Sequence, residues 1–209
     1  MAGKVLGAMK TVLLIGISGV YNYGCEGIVR GTETILRSRW PGMRVVYASR
    51  RPSHDQPSLS GARVEVVPRR FARYSWSNVL RKALTAGGIQ WSPRSDDLAL
   101  LRGVDAVLSI GGDIYTMRPD GTFSEGLMKF GDAAERHGVP YVLWAASVGP
   151  FARGSRAERT ARRHLSGISL ITAREMRTME YLESLGVREN VVRCADPAFA
   201  VAPEIQKGP

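Results

Sequence analysis

The sequence of 209 residues contains only two cysteines, Cys25 and Cys194, whose spacing fits neither a disulfide framework nor a zinc motif. It also lacks an apolar run long enough to cross a bilayer. The apolar run beginning at Val12 is short and soon meets the polar Asn22, which indicates a buried first strand rather than a signal peptide. These absences argue against disulfide-rich and membrane-spanning classes, and they favour the cytoplasm.

Histidine is scarce as well, with three residues, and none of them is predicted to be a catalytic base. His54 and His164 stand in polar segments that we expect to be exposed, and His137 precedes a helix-ending glycine. The glycine-rich fingerprints of nucleotide-binding loops are missing too, since neither G-x-G-x-x-G nor a GK[ST] sequence occurs.

Basic charge is abundant: the net charge is +10, and 24 of the 29 basic residues are arginine. Such a balance favours anionic partners, either nucleic acid, an anionic lipid surface or a phosphorylated metabolite, although arginine-rich solvent faces are the simpler explanation. No basic-aromatic array or known nucleic-acid module is present, so we expect no nucleic-acid partner.

Apolar runs of strand length alternate with longer amphipathic segments. The predicted strands are 11–17, 44–48, 64–67, 105–110, 141–146, 169–172 and 191–194. The predicted helices are 26–39, 77–85, 96–101, 124–137, 155–165 and 175–185. Residues 50–93 form the least regular stretch. The pattern predicts an α/β fold with a doubly wound, mostly parallel Rossmann-like sheet, whose ligands bind at the carboxyl ends of the strands.

The loop after the first strand, GISGVYNYGCEG, combines glycines with polar groups at the start of a helix. Free N–H groups at such a helix start can meet an anion. We interpret Gly16 and Gly27 as packing positions, and we place Asn22, Gly24 and Glu26 among the candidate substrate-binding residues.

The loop after the strand 105–110 reads GGDIY. Gly111 and Gly112 allow a ligand to lie against the backbone, and the Asp113 carboxylate either accepts a proton from a substrate hydroxyl or caps a turn. Tyr115 either stacks on a sugar ring or packs in the core. The next loop, AASVGPF, is predicted to present the Ser147 hydroxyl and backbone N–H groups near Gly149; it is not a nucleophile elbow.

Arg174 stands where a helix begins, although a cation there is mildly unfavourable, by about 0.3–1 kcal/mol. Its position makes sense if an anion binds there, because helix N–H groups and a guanidinium then converge on the same oxygens. The alternative is a structural pair with Asp196, which itself either partners Arg174, holds a ligand or ends its strand. Arg177 is expected on the solvent face.

In this order, NYGCEGIVRGT, SIGGDIY, SVGPF, TAREMRTMEYLESLG and CADPAFAV resemble the polysaccharide pyruvyl transferase family from Thr11 to about Val201. The resemblance implies one half of a GT-B-like two-domain architecture, and transfer of a pyruvyl group from phosphoenolpyruvate to a sugar of a polysaccharide or its lipid-linked precursor. It implies that Arg174 contacts the donor and that Asn22, Gly111, Gly112, Asp113, Ser147, Gly149 and Asp196 lie around the cleft. Such a transfer needs a base for the sugar hydroxyl, and the Asp113 carboxylate is the candidate.

We accordingly expect residues 1–200 to form the N-terminal domain and residues 201–209 to begin a linker to a second domain. No metal or cofactor is expected beyond phosphoenolpyruvate as donor substrate. The protein is expected in the cytoplasm or at the inner face of the membrane, where a lipid-linked acceptor would bring peripheral contact. Two other functions stay open: a GT-B-like glycosyltransferase using a nucleotide-sugar, and a non-catalytic glycan- or anion-binding relative.

Overall fold

The computed structural model of the chain describes residues 10–69, 98–117, 123 and 125–202. The strands are β1 (Thr11–Gly16), β2 (Arg44–Ser49), β3 (Val64–Pro68), β4 (Ala106–Ile110), β5 (Tyr141–Trp144), β6 (Leu170–Ala173) and β7 (Val191–Arg193). The helices are α1 (Tyr23–Arg39), α2 (Pro52–Ser58), α3 (Glu125–Arg136), α4 (Arg156–Gly167) and α5 (Met176–Ser184), followed by a 3-10 helix, Pro197–Ala200.

The seven strands form one parallel sheet in the order β3-β2-β1-β4-β5-β6-β7. The first strand, β1, lies inside the sheet. β2 and β3 extend the sheet on one side of β1, and β4 to β7 extend it on the other side. The strand order therefore reverses between β1 and β4, and the crevice beyond their carboxyl ends is where ligands bind in such folds.

Both faces of the sheet are covered, as continuously apolar strands predict. The side chains of β1 alternate between two cores: Val12 and Leu14 pack with residues of α1, while Leu13 and Ile15 pack with residues of α3, α4 and α5. All four are at most 1% exposed. The predicted doubly wound α/β sheet is thus confirmed.

Each predicted strand is present, with bounds that differ by at most two residues. The prediction for residues 50–93 was wrong at α2, a short helix that contains Pro57 near its end. The predicted helix 77–85, residues 96 and 97 of the predicted helix 96–101 and the linker beyond residue 202 lie outside the described residues, whereas Leu98 and Ala99 are helical as predicted. Within the described residues, no helix is long and apolar enough to cross a membrane.

The 3-10 helix packs against two glycines on one face of α1. A Cβ atom on Gly31 would lie 1.8 Å from the Pro197 carbonyl oxygen, and one on Gly27 would lie 3.2 Å from the Ala198 side chain. Gly27 is therefore a packing position, as predicted. Gly31 belongs to the same contact, which fixes the 3-10 helix and its N-cap residue, Asp196, beside α1.

We expect Gly31→Ala to lower the free energy of unfolding by about 2 kcal/mol, because overpacking outweighs the higher helix propensity of alanine. Urea denaturation measures the change. The control is Gly126→Ala in α3, where an added Cβ meets nothing within 4 Å, and where we expect no loss or a gain of up to about 1 kcal/mol. Equal effects at both positions would contradict the packing argument.

Candidate functional site

The loops that follow β4, β5, β6 and β7 are joined to one another at the carboxyl edge of the sheet. The Ser147 N–H donates to the Gly112 carbonyl over 2.8 Å, and the Gly149 N–H donates to the Tyr115 carbonyl over 3.0 Å. The Ser147 hydroxyl donates to Glu175 Oε1 over 3.0 Å, which links the β5 loop to the residue after Arg174. These bonds make one connected framework of the predicted strand-end loops.

Arg174 lies at the centre of this framework, directly before the N-cap of α5. Its Nη1 donates to Asp196 Oδ2, and its Nε lies 3.3 Å from Glu175 Oε1. The pairing with Asp196 confirms the structural alternative considered for this arginine. Two carboxylates therefore offset the unfavourable helix dipole at this position.

The rest of the Arg174 guanidinium lies against Gly112. A Cβ atom at Gly112 would come within 2.8 Å of Nη2, so a side chain at that position would displace the guanidinium. Nη2 itself makes no hydrogen bond to the described part of the chain. The Arg174 side chain is 20% exposed, and the N-cap Glu175 makes no side-chain capping bond to α5. Guanidinium N–H groups and helix N–H groups thus stay available to an anion.

An open depression of about 760 Å³ lies beside Arg174. It is lined by Arg174, Glu175, Arg193, Cys194, Ala195, Asp196 and Phe199. Two guanidinium groups face two carboxylates in this lining, so its formal charges cancel. Burial raises the pKa of the Cys194 thiol, which therefore stays protonated at neutral pH and is a poor nucleophile.

Asp196 does two things at once. Its Oδ1 accepts the Ala198 N–H over 2.9 Å and so caps the 3-10 helix, while its other oxygen holds Arg174. Because the 3-10 helix is seated on α1, the position of Arg174 depends on a contact with a distant part of the chain. Asp196 also lines the depression, and its contact with a ligand stays a prediction.

Two predicted binding residues of the first loop, Asn22 and Glu26, make contacts within the protein. Asn22 caps α1 by accepting the Cys25 N–H over 2.8 Å. Glu26 pairs with Arg30 over 2.6 Å, and Arg30 in turn donates to the carbonyls of Ser58, the last residue of α2, and of Ser60. Gly24 is exposed and close to the Asn22 side chain. Contact of these residues with a substrate stays a prediction.

Tyr115 corrects the prediction that it stacks on a substrate. Its side chain is 0% exposed, and its hydroxyl lies 3.0 Å from His164 Nε2 and 3.1 Å from the Tyr141 hydroxyl. The core-packing alternative is the right one. Asp113, two residues earlier, is exposed, and its carbonyl accepts the Thr116 hydroxyl over 2.8 Å.

The β5 loop corrects a second expectation, because its polar groups are used internally. Apart from the two N–H bonds already described, the Ala146 N–H donates to the Thr172 carbonyl, and the Val148 N–H donates to the Thr178 hydroxyl. Ser147 is 7% exposed. Gly149 has a φ of +71°, and a Cβ there would lie 2.2 Å from the Tyr181 ring. Ser147 and Gly149 thus shape the site rather than present free donors.

Sequence reasoning missed three residues, of which two belong to this framework and the third lies under the first loop. Glu175 joins Ser147 to Arg174, and its place beside Arg174 was the available signal. His164 was expected to be exposed but is 1% exposed, and its spacing from the buried Ala161 in α4 could have indicated this. Asp55, fully buried under the first loop, gave no signal. Arg177 is exposed, as predicted.

The described residues hold no group of three or more His, Cys, Asp or Glu placed to bind a metal.

Known structures share this fold at low sequence identity. Anabaena HepE in complex with UDP and glucose has a TM-score of 0.54 and 13% identity over 90% of this chain and 45% of that one. The UDP-N-acetylglucosamine 2-epimerase of Rickettsia bellii has a TM-score of 0.52 and 13% identity over 91% and 46%. S. aureus MnaA, in its co-structure with UDP, has a TM-score of 0.51 and 14% identity over 91% and 44%.

The chain spans less than half the length of these proteins, and the likeness confirms the predicted fold, a Rossmann-like half of a GT-B-like architecture. No curated protein matches the sequence. A family model, in contrast, matches residues 22–209, which include the loops that follow β4, β5, β6 and β7. The chain belongs to the polysaccharide pyruvyl transferase family.

Proposed function

We propose that this chain is the N-terminal half of a transferase that moves a pyruvyl group from phosphoenolpyruvate to a sugar hydroxyl. The observation that carries the proposal is the Arg174 guanidinium, held in place by Asp196 and Gly112 at the start of α5 with Nη2 unengaged among the described residues. Such an arrangement suits a carboxylate or phosphate oxygen.

The reaction asks for defined groups around the donor. A sugar oxygen attacks C2 of phosphoenolpyruvate as its hydroxyl proton leaves, and C3 takes up a proton to become a methyl group. The C2–O bond to phosphate then breaks, and a second hydroxyl of the same sugar closes the ketal at C2 and gives up its proton to the released phosphate. Asp113, exposed on the loop that borders Arg174, is our candidate to accept the first hydroxyl proton.

The charge of the depression sets a condition on donor binding. Phosphoenolpyruvate carries nearly three negative charges, whereas the described lining has as many carboxylates as guanidinium groups. We infer that further cations, from outside the described residues, complete the donor site. The sugar or glycan acceptor, its lipid-linked form at the inner face of the membrane, and the absence of any cofactor are parts of the same proposal.

Phosphate release tests the proposal. The full-length protein, given phosphoenolpyruvate and a panel of sugars with neighbouring hydroxyls, is expected to release phosphate only when an acceptor is present, with a pyruvyl ketal in the product by mass spectrometry. Release without ketal formation, or no release with any acceptor, would count against a pyruvyl transferase.

A glycosyltransferase using a nucleotide-sugar is the second candidate, and the fold shared with HepE, a structure that holds UDP and glucose, favours it. Release of a nucleoside diphosphate from a nucleotide-sugar in the same assay would identify that reaction. Binding of glycan or anion without turnover of either donor would instead support the third candidate, a non-catalytic binding protein.

A further inference from the structure

Four polar side chains from four separate elements form one hydrogen-bonded row beneath the β4 loop. Tyr141 at the start of β5 meets the Tyr115 hydroxyl at 3.1 Å, and that hydroxyl meets His164 Nε2 of α4 at 3.0 Å. The row ends at Asp132 of α3, whose Oδ1 lies 2.6 Å from His164 Nδ1. The two tyrosines and the histidine are at most 1% exposed, so the row runs through the core.

The surrounding core is shaped to hold these rings in one arrangement. Tyr115 stacks on His164 with ring centroids 5.6 Å apart, and Tyr141 meets His164 edge-on. A Cβ atom at Gly131 of α3 would lie 2.7 Å from His164 Cε1 and 2.9 Å from the Tyr141 ring. Packing alone would be served by apolar rings, whereas buried polar groups demand partners. The polar row therefore needs a reason other than volume.

The hydroxyl of Tyr115 stays bonded in either charge state of His164. Burial raises the pKa of Asp132, but the bond with His164 and the nearby Arg163 and Arg136 outweigh it, so that the pKa is lowered and the carboxylate stays ionised at neutral pH. His164 Nδ1–H then donates to Asp132. A neutral His164 accepts the Tyr115 O–H at Nε2, and a protonated one donates to the Tyr115 oxygen, with Tyr141 taking the complementary role. Burial raises the pKa of both phenols, which keeps them neutral.

The backbone of Tyr115 transmits this anchoring to the site. Its carbonyl accepts the Gly149 N–H, and three residues earlier the Gly112 carbonyl accepts the Ser147 N–H. Between these two points lies Asp113, and against Gly112 lies the Arg174 guanidinium. The segment 111–115 is thus fixed by its backbone on one side and by the Tyr115 hydroxyl on the other.

We propose that His164 is a positioning residue: by holding the Tyr115 hydroxyl, it keeps the segment 111–115 in the register that supports Arg174 and presents Asp113. The effect on pyruvyl transfer rests on the function proposed above, whereas the effect on the segment does not. The two can therefore fail separately.

The test measures amide hydrogen exchange by NMR in the full-length protein. The amides of Ser147 and Gly149 report directly, since each donates to a carbonyl of the segment, and those of Ala146 and Val148 serve as internal controls because they bond to other residues. We expect Tyr115→Phe, which removes one oxygen, to speed exchange about tenfold at Ser147 and Gly149 and to leave the controls within twofold. The matched variant Tyr47→Phe removes an equally buried hydroxyl from the other core and should change none of the four.

A pair of substitutions at His164 separates positioning from space-filling. Glutamine can accept from or donate to the Tyr115 hydroxyl and should retain most of the protection, whereas leucine fills a similar volume without a polar atom and should lose it. Equal exchange at Ser147 and Gly149 in His164→Gln and His164→Leu would overturn the proposal. If His164→Leu does not fold, Tyr115→Phe decides the question, and unchanged exchange there overturns it too.

Activity gives the second readout. In a protein that transfers pyruvyl groups, Tyr115→Phe is expected to lower kcat about tenfold and to change the KM for phosphoenolpyruvate by less than threefold, because Asp113 acts in the reacting step and Arg174 keeps its own carboxylate partners. A rise in KM with unchanged kcat would contradict this placement of Asp113. Faster exchange in a protein without any pyruvyl transfer would uphold the positioning and refute the proposed function.

Discussion

Arg174→Ala is expected to reduce kcat/KM for phosphoenolpyruvate about 100-fold or more in the full-length protein. Charge-assisted hydrogen bonds contribute about 1.5–3 kcal/mol each, and a guanidinium can give two of them to one anion. Asp196 and Glu175 would remain in place, so the variant also leaves two carboxylates facing the donor without their cation. Steady-state kinetics with varied phosphoenolpyruvate measure the loss.

Two further variants show whether the loss of kcat/KM is due to the guanidinium group of Arg174. Arg174→Lys keeps the charge but cannot hold Asp196, Glu175 and a ligand at once, so we expect an intermediate loss of about 10- to 50-fold. Arg177→Ala removes an exposed arginine one helical turn away and should leave kcat/KM within about twofold. If Arg174→Ala binds phosphoenolpyruvate as well as the unchanged protein does, Arg174 is not part of the donor site.

Asp55→Ala is expected to cost about 3 kcal/mol of the free energy of unfolding. The side chain is 0% exposed and accepts the Val20 N–H over 3.0 Å and the Ser49 hydroxyl over 2.5 Å, with the Tyr47 hydroxyl at 3.4 Å. Alanine would leave these buried donors unpaired and would open a small cavity, and each unpaired group costs about 1–3 kcal/mol. Urea denaturation of Asp55→Ala and of the parent protein measures the difference.

Asp55→Asn is the matched control, since an amide oxygen of the same shape can still accept from Val20 or Ser49. We expect about half the loss of Asp55→Ala. A cost below about 1 kcal/mol for the alanine variant would show that water satisfies these donors and that Asp55 does not hold the first loop. Because Val20 lies just before Asn22, the alanine variant should also loosen the start of α1.

The sheet could be predicted from the sequence because its signals are local. Strands buried on both faces are continuous apolar runs, such as those around Leu14 and Leu108, and each is bounded by glycine or polar residues. Alternation with amphipathic helices then fixes a parallel, doubly wound arrangement. The helix α2 was missed because Pro52 and Pro57 indicate a loop, whereas a tertiary contact, the burial of Asp55, accompanies the helix.

The site was only partly predictable, because loop position is local information and side-chain partners are not. The carboxyl-edge loops containing Asp113, Ser147 and Arg174 follow from strand ends alone. Whether a tyrosine in such a loop faces a ligand or the core depends on what lies beneath it. For Tyr115 that is His164, 49 residues further along the chain, in a helix whose many arginines suggest a solvent face.

The packing of the 3-10 helix against α1 affects the order in which parts of the domain fold during synthesis. Gly31 leaves the ribosome early and Pro197 late, so their contact closes only after nearly all of the described sheet has been made. Until then Asp196 has no fixed place, and Arg174 lacks its partner. The proposed anion site is therefore among the last parts of this domain to assemble, because Asp196 follows β7, the last strand of the sheet.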